Sequence, residues 1–195
     1  MTGQAAVRRI VFVTHAEVEI DPERQVTDWP LKPRGCARHA AFAANPALQG
    51  VTAVFSGAER KAREGAAIHA SDLGLTPKAI TALGENDRSA TGYLPPAETE
   101  RIADAFFASP DESVRGWASA RAAQARILAA VRTIAEMDPS PGDIRLVSHE
   151  AVGTPMRCAS LNRPISRAED QPAGGGNHFT IDLPDWTGHP EWRVI

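Results

Sequence analysis

Apolar residues collect in five short runs, and stretches with helical spacing separate most of them. Residues 8–13 (Arg-Arg-Ile-Val-Phe-Val) and 51–55 (Val-Thr-Ala-Val-Phe) are rich in β-branched and aromatic side chains and lack polar alternation, as in strands buried on both faces. Residues 144–148, 177–183 and the weaker run 78–82 read the same way. Helical signals span residues 34–45, 58–73 (closed by Gly74), 97–108 and 151–161. The longest helix is predicted over 114–137, with Ser113 as N-cap and Ile127, Leu128, Val131 and Ile134 as its apolar stripe. Prolines 22, 30 and 33 mark 17–33 as a loop; Gly84, Gly92, Pro95 and Pro96 do so for 84–96. The glycine run 174–176 precedes the last strand, and the tail to Ile195, with Trp186 and Trp192, is expected to pack as an irregular cap.

Strands alternating with helices predict an α/β fold: one domain over residues 1–195, a three-layer α/β/α sandwich with a mostly parallel sheet. Right-handed crossovers bring the loops that follow the strands to one edge, where open sheets of this kind bind ligands. His15, Ser56 and His149 each stand just past a predicted strand. That shared position sets two histidines apart from His39, His69, His178 and His189, which are read as structural or surface residues.

Composition narrows the chemistry. With 43% hydrophobic and 23% charged residues the chain is of the folded, globular kind, and its formal net charge of −3 argues against a nucleic-acid partner. No apolar stretch approaches membrane-spanning length and no secretory signal is visible, so a soluble, cytoplasmic protein is expected. Cys36 and Cys158 belong to no paired motif and are read as reduced thiols. A strand-edge histidine pair suits either a metal or a phosphoryl group. Zinc would need a third ligand, for which Glu85 is a candidate, but no spacing such as HExxH supports it; no metal and no cofactor are expected.

The order of the motifs is more telling than any one of them. Thr14-His15-Ala16 falls where the histidine phosphatase superfamily, the phosphoglycerate-mutase-like proteins, carries Arg-His-Gly after its first strand. Ser56-Gly57-Ala58-Glu59-Arg60-Lys61-Ala62-Arg63-Glu64-Gly65-Ala66 matches the pattern S-S-P-L-x-R-A-x-Q/E-T-A, Leu83-Gly84-Glu85 matches L-x-E, and Val147-Ser148-His149-Glu150 matches a strand leading to Ser/Gly-His-Gly. From about residue 8 to 183 the chain resembles that superfamily, in particular a bacterial branch with a degenerate Arg-His-Gly motif that shares Asp87-Arg88-Ser89-Ala90-Thr91-Gly92-Tyr93 and Pro164-Ile165-Ser166-Arg167.

The resemblance implies a phosphoglycerate-mutase-like fold and roles for particular residues. His15 would accept the phosphoryl group, His149 would face it, and Glu85 would protonate the leaving oxygen and then activate water. Lys61 stands at the family's second arginine, while Thr14 and Glu150 flank the two histidines. Arg60 and Arg88 are candidates to supply missing charge around the phosphate. Thr14 in place of arginine removes a charged fork, Lys61 cannot grip two oxygens in one plane, and Glu150 adds negative charge. The expected activity is therefore weak hydrolysis of small phosphomonoesters through a phosphohistidine. The alternative is a phosphate-ligand binding or regulatory protein of the same fold with impaired catalysis. The expected partner is a small phosphorylated molecule or phosphate, not nucleic acid or membrane; a homodimer is left open.

Overall fold

The apolar runs become strands because both their faces are covered. In the computed structural model, which describes residues 7–48 and 50–195, β1 (Arg9–Thr14) turns Ile10 and Phe12 to one face of the sheet and Val11 and Val13 to the other; all four are fully buried. Strands β2 (Val51–Ser56) and β4 (Asp143–Ser148) divide their side chains in the same way. One face packs on α1 (Pro33–Ala43) and α2 (Arg60–Asp72); Ala62, Ala66 and Ala70, spaced four apart, let α2 lie close against Val11, Val13, Val54 and Val147. The other face packs on α3 (Pro96–Ala108), α4 (Ala120–Met137) and α5 (Glu150–Ser160) through Phe106, Ile127, Val131, Val152 and Met156. This is the expected three-layer sandwich.

Strand order places the site. The sheet runs β3 (Lys78–Ala79), β2, β4, β1, β5 (Asn177–Asp182), β6 (Thr187–Gly188), with β7 (Arg193–Val194) also paired to β5. The first four strands are parallel. Strands β5, β6 and β7 add antiparallel pairs beyond β1, so the sheet is parallel where it carries the candidate residues and mixed overall. Because β4 lies between β1 and β2, the loops after all three strands meet at one edge. His15 N–H bonds to Ser148 O at 3.1 Å and Gly57 N–H to Val147 O at 3.0 Å, extending the ladder into those loops.

Two expected boundaries shift. The helix over 114–137 begins at Ala120: Arg115 and Gly116 take positive φ angles of 54° and 80°, which no helix accommodates. Ser119, not Ser113, caps it, accepting from Ala122 N–H at 3.2 Å; the Ser113 hydroxyl instead bonds Trp117 O. The tail is not wholly irregular, since β6 and β7 pair with β5. Among the described residues no helix is long and apolar enough to cross a membrane.

Candidate functional site

The turn after β1 fixes the state of His15. Its Nδ1 lies 2.9 Å from Ala16 O, and a carbonyl can only accept, so Nδ1 carries the proton and Nε2 keeps its lone pair. Burial of the ring, with His149 and Lys61 nearby, lowers its pKa to about 3, so it is neutral and nucleophilic at pH 7. The backbone of the turn is clamped from two sides: Gly176 N–H donates to His15 O, and Ala16 N–H donates to Nε2 of His39 on α1. A side chain at position 175 would put Cβ 2.8 Å from His15 O, so the glycine run is the segment that can lie against this turn.

His149 closes β4 and stands at the start of α5. Its ring is fully buried, neither nitrogen has a hydrogen-bond partner, and it meets the His15 ring edge-on at 5.2 Å between centroids. Gly57 makes room for it, because a Cβ there would lie 3.0 Å from His149 Nε2. Burial lowers the His149 pKa, and Glu59 and Glu85 oppose that shift. An unpartnered buried imidazole beside a nucleophilic one is poised for a ligand that supplies the missing bonds.

Glu85 completes the group. Burial alone would raise its pKa, but Arg88, His149 and the Asn86 N–H hold the carboxylate below its usual range. Arg88 reaches it at 3.2 Å while lying over the Trp117 ring at 4.8 Å. Arg126 of α4 latches the loop from below, donating to Ala82 O, Gly84 O and Glu85 O at 2.8–2.9 Å.

The remaining sequence candidates divide. Lys61 is buried beside both histidines, yet its ammonium is already engaged by Glu59 at 2.5 Å and Val26 O at 2.8 Å. Arg60 is not brought in: it points outward and pairs with Glu64 on the α2 surface. Thr14 is buried, its hydroxyl donating to Gln171 Oε1 at 2.6 Å and accepting from Asn177 N–H, so it holds neighbouring loops together. Glu150 sits at the rim in the first turn of α5; desolvation of its carboxyl, with Asp170 and Glu85 close by, raises its pKa to about 7. Each positive feature thus faces an internal carboxylate: Lys61 meets Glu59, Arg88 meets Glu85, and the α5 N-terminus meets Glu150. Among the described residues no group of three or more His, Cys, Asp or Glu is arranged to hold a metal ion.

Sequence reasoning passed over Glu59, Gln171 and Arg126. Glu59 was within reach, since it occupies the leucine position of the pattern S-S-P-L-x-R. Arg126 gave no signal, being about 40 residues from the loop it holds.

Of the four histidines read as structural or surface residues, three are packed against other side chains and His189 lies at the surface. His39 Nδ1 lies 3.0 Å from His69 Nε2; because His39 Nε2 accepts from Ala16, its Nδ1 donates to His69, and both rings are neutral. His178 packs on Phe42, and His189 pairs with Asp182 at the surface. Burial lowers the pKa of His39 and of His178 to about 4 and that of His69 well below 6.5. From pH 6.5 down to about 4 the unfolded chain binds protons that these folded rings refuse, so stability falls as pH drops through that window. Each ring contributes up to about 1.4 kcal/mol per pH unit. Glu150 acts oppositely: its pKa is raised from 4.5 to about 7, so the stability it adds at low pH is lost as pH rises towards 7. His15 and His149, whose pKa values are also lowered, act in the same direction, so the rings together outweigh one rim carboxyl, and the thermal midpoint is expected to fall by several degrees between pH 7 and pH 5. A flat midpoint over that range would show that the rings are not held neutral.

Comparison with known proteins identifies the family and the fold. A profile of the histidine phosphatase superfamily (branch 1) matches residues 10–183. Among solved structures, a mycobacterial glucosyl-3-phosphoglycerate phosphatase superposes with a TM-score of 0.75 at 18% identity, covering 96% of this chain and 97% of that one. YhfR of Bacillus stearothermophilus gives 0.76 at 18% identity, covering 93% and 94%. A phosphoserine phosphatase of Entamoeba histolytica, solved with 3-phosphoglyceric acid, gives 0.73 at 15% identity, covering 96% and 98%. No curated protein sequence matches. With the profile spanning most of the chain and the fold shared along its length, this protein belongs to the histidine phosphatase superfamily, branch 1.

Proposed function

We propose that this chain, acting as one domain over residues 1–195, hydrolyses small phosphomonoesters slowly through a phosphohistidine on Nε2 of His15. The observation that carries the reading is the bond from His15 Nδ1–H to Ala16 O, which leaves the lone pair on the opposite nitrogen, with the unpartnered His149 ring 5.2 Å away between centroids. In the first step Nε2 attacks phosphorus, the ester oxygen departs, and Glu85 delivers a proton to it. Arg88, His149 and the Asn86 N–H favour the ionised form of Glu85, so that proton arrives with the substrate as a monoanion. In the second step water attacks phosphorus, Glu85 takes its proton, the P–N bond breaks and phosphate leaves. His149 bonds the transferring oxygens, and Lys61, Arg88 and the N-termini of α2 and α5 offset their charge.

Slowness follows from charge. Phosphoryl transfer depends on cations preorganised around the equatorial oxygens. Here Thr14 provides none, and the cations present are shared with carboxylates. One missing stabilising group costs about 10²–10³ in kcat. The same observation favours the second reading, a phosphate-ligand binding or regulatory protein that retains the pocket without efficient turnover. Two unbridged thiols, Cys36 and Cys158, fit a reducing compartment, and we assign the protein to the cytoplasm.

The test is restoration of charge. An arginine at position 14 needs the room that Gln171 fills, so Thr14→Arg is combined with Gln171→Ala. The double variant is expected to hydrolyse a generic aryl phosphate at least about tenfold faster than the parent, with vanadate inhibiting both. The gain should vanish when His15→Ala is added. Unchanged turnover in a folded variant that still binds phosphate would remove charge at position 14 as the limiting defect and favour the binding reading.

A further inference from the structure

One cation of the pocket, Lys61, is held by a carboxylate that belongs to the protein. Glu59 Oε2 lies 2.5 Å from Lys61 Nζ. Its Oε1 accepts from the Glu85 N–H at 3.2 Å and stands 3.6 Å from His149 Nε2. An ammonium, a backbone amide and an imidazole converging on one pair of oxygens is the donor set expected for an edge of a phosphoryl group. Glu59 immediately precedes α2, so its carboxylate is also close to the positive end of that helix. A second observation marks the place as a ligand site: both His149 nitrogens are buried without a hydrogen-bond partner, and Glu59 is near enough to feel that ring but too far to bond it.

We propose that Glu59 sets the anion affinity of this pocket: its carboxylate occupies an edge of the anion seat, and a phosphate group binds only by displacing it from Lys61. The proposal rests on reading the pocket as an anion site. It explains how Lys61 can be buried beside both histidines with its charge already answered. Two anionic groups cannot share one ammonium in a closed pocket without repulsion, so ligand affinity is the difference between two competing ion pairs. A phosphate dianion therefore gains less here than in a pocket whose motif carries leucine at this position. Removing the carboxylate while keeping its shape removes the competitor and leaves the donors free.

The experiment is calorimetric titration of the full chain with inorganic phosphate at pH 7.5, using the parent, Glu59→Gln, Glu59→Leu and Glu59→Gln combined with Lys61→Ala. Glutamine keeps an acceptor for the Glu85 amide, and leucine restores the residue type of the motif, so a folding defect in one leaves the other to report. Glu59→Gln and Glu59→Leu are expected to bind phosphate about tenfold to a hundredfold more tightly than the parent. Adding Lys61→Ala should cancel that gain. Unchanged or weaker binding in the folded single variants overturns the proposal, as does a gain that survives loss of Lys61. His15-dependent hydrolysis of an aryl phosphate, measured on the same proteins, keeps the two readings apart. Turnover without an affinity gain defeats the role of Glu59 and spares the phosphatase reading. An affinity gain without turnover does the reverse, and absence of both defeats both.

Discussion

His15→Ala is expected to lower turnover of any phosphomonoester by about 10³-fold or more, to the level of the background reaction, while the protein stays folded. The size follows from what the residue contributes. His15 Nε2 is the group placed to form a bond to phosphorus, and the tautomer that frees it is fixed by Ala16 O. Neither His149 nor Glu85 replaces it: the first is a neutral ring enclosed behind Gly57, the second a carboxylate engaged with Arg88 and the Asn86 N–H. Stability should change little, because the clamp on this turn is built on backbone groups, His15 N–H and O and Ala16 N–H, which alanine preserves. Circular dichroism and thermal unfolding check the fold, and turnover of an aryl phosphate checks the chemistry. Retention of more than a tenth of the parent rate would remove His15 as nucleophile.

The second large effect is expected at Glu85, and it should depend on the leaving group. Positioned proton donors contribute about 10²–10⁴-fold. An alkyl alcohol leaves poorly without a proton, whereas a nitrophenolate departs unaided. Glu85→Gln is therefore expected to slow alkyl monoesters by about 10²-fold or more and nitrophenyl phosphate far less in the step that forms the phosphoenzyme. Water attack still needs a base, so the variant should accumulate phosphoenzyme from the activated substrate and release an initial burst of nitrophenol. Glutamine keeps the shape and an acceptor for the Asn86 N–H, and Arg126 continues to hold the backbone of the loop. Rapid-quench kinetics on the two substrate classes check the outcome. Equal slowing of both, with no burst, would assign Glu85 to positioning alone.

How far the sequence foretold this site depends on the kind of signal each residue leaves. His15, Ser56 and His149 were legible because buried strands announce themselves as unbroken apolar runs, and parallel topology sends the residues after those runs to one edge. The ordered motifs then named Lys61 and Glu85. What escaped was pairing. Lys61 as a cation is visible in the sequence; that Glu59, two residues earlier, neutralises it depends on the backbone turn into α2. Arg60 was a candidate for extra charge because it adjoins Lys61 in sequence, but the 100° step between neighbours on a helix turns it outward to Glu64. Arg126 lies on α4 and meets the Glu85 loop only after the chain has run through α3 and folded back. The early start assigned to α4 carried the helix through residues 114–119 although Gly116 stands among them, and the positive φ angles at Arg115 and Gly116 keep this segment out of the helix.

The central claim is a covalent bond between His15 Nε2 and phosphorus. The most direct measurement is intact-protein mass spectrometry of the chain, quenched at alkaline pH after mixing with a small phosphoryl donor, followed by peptide mapping. The account predicts one added phosphoryl group, stable in alkali and lost in acid, on the peptide containing His15 and absent from His15→Ala. A stable phosphoryl group on another residue, or no adduct in either the parent or Glu85→Gln under turnover conditions, would contradict it.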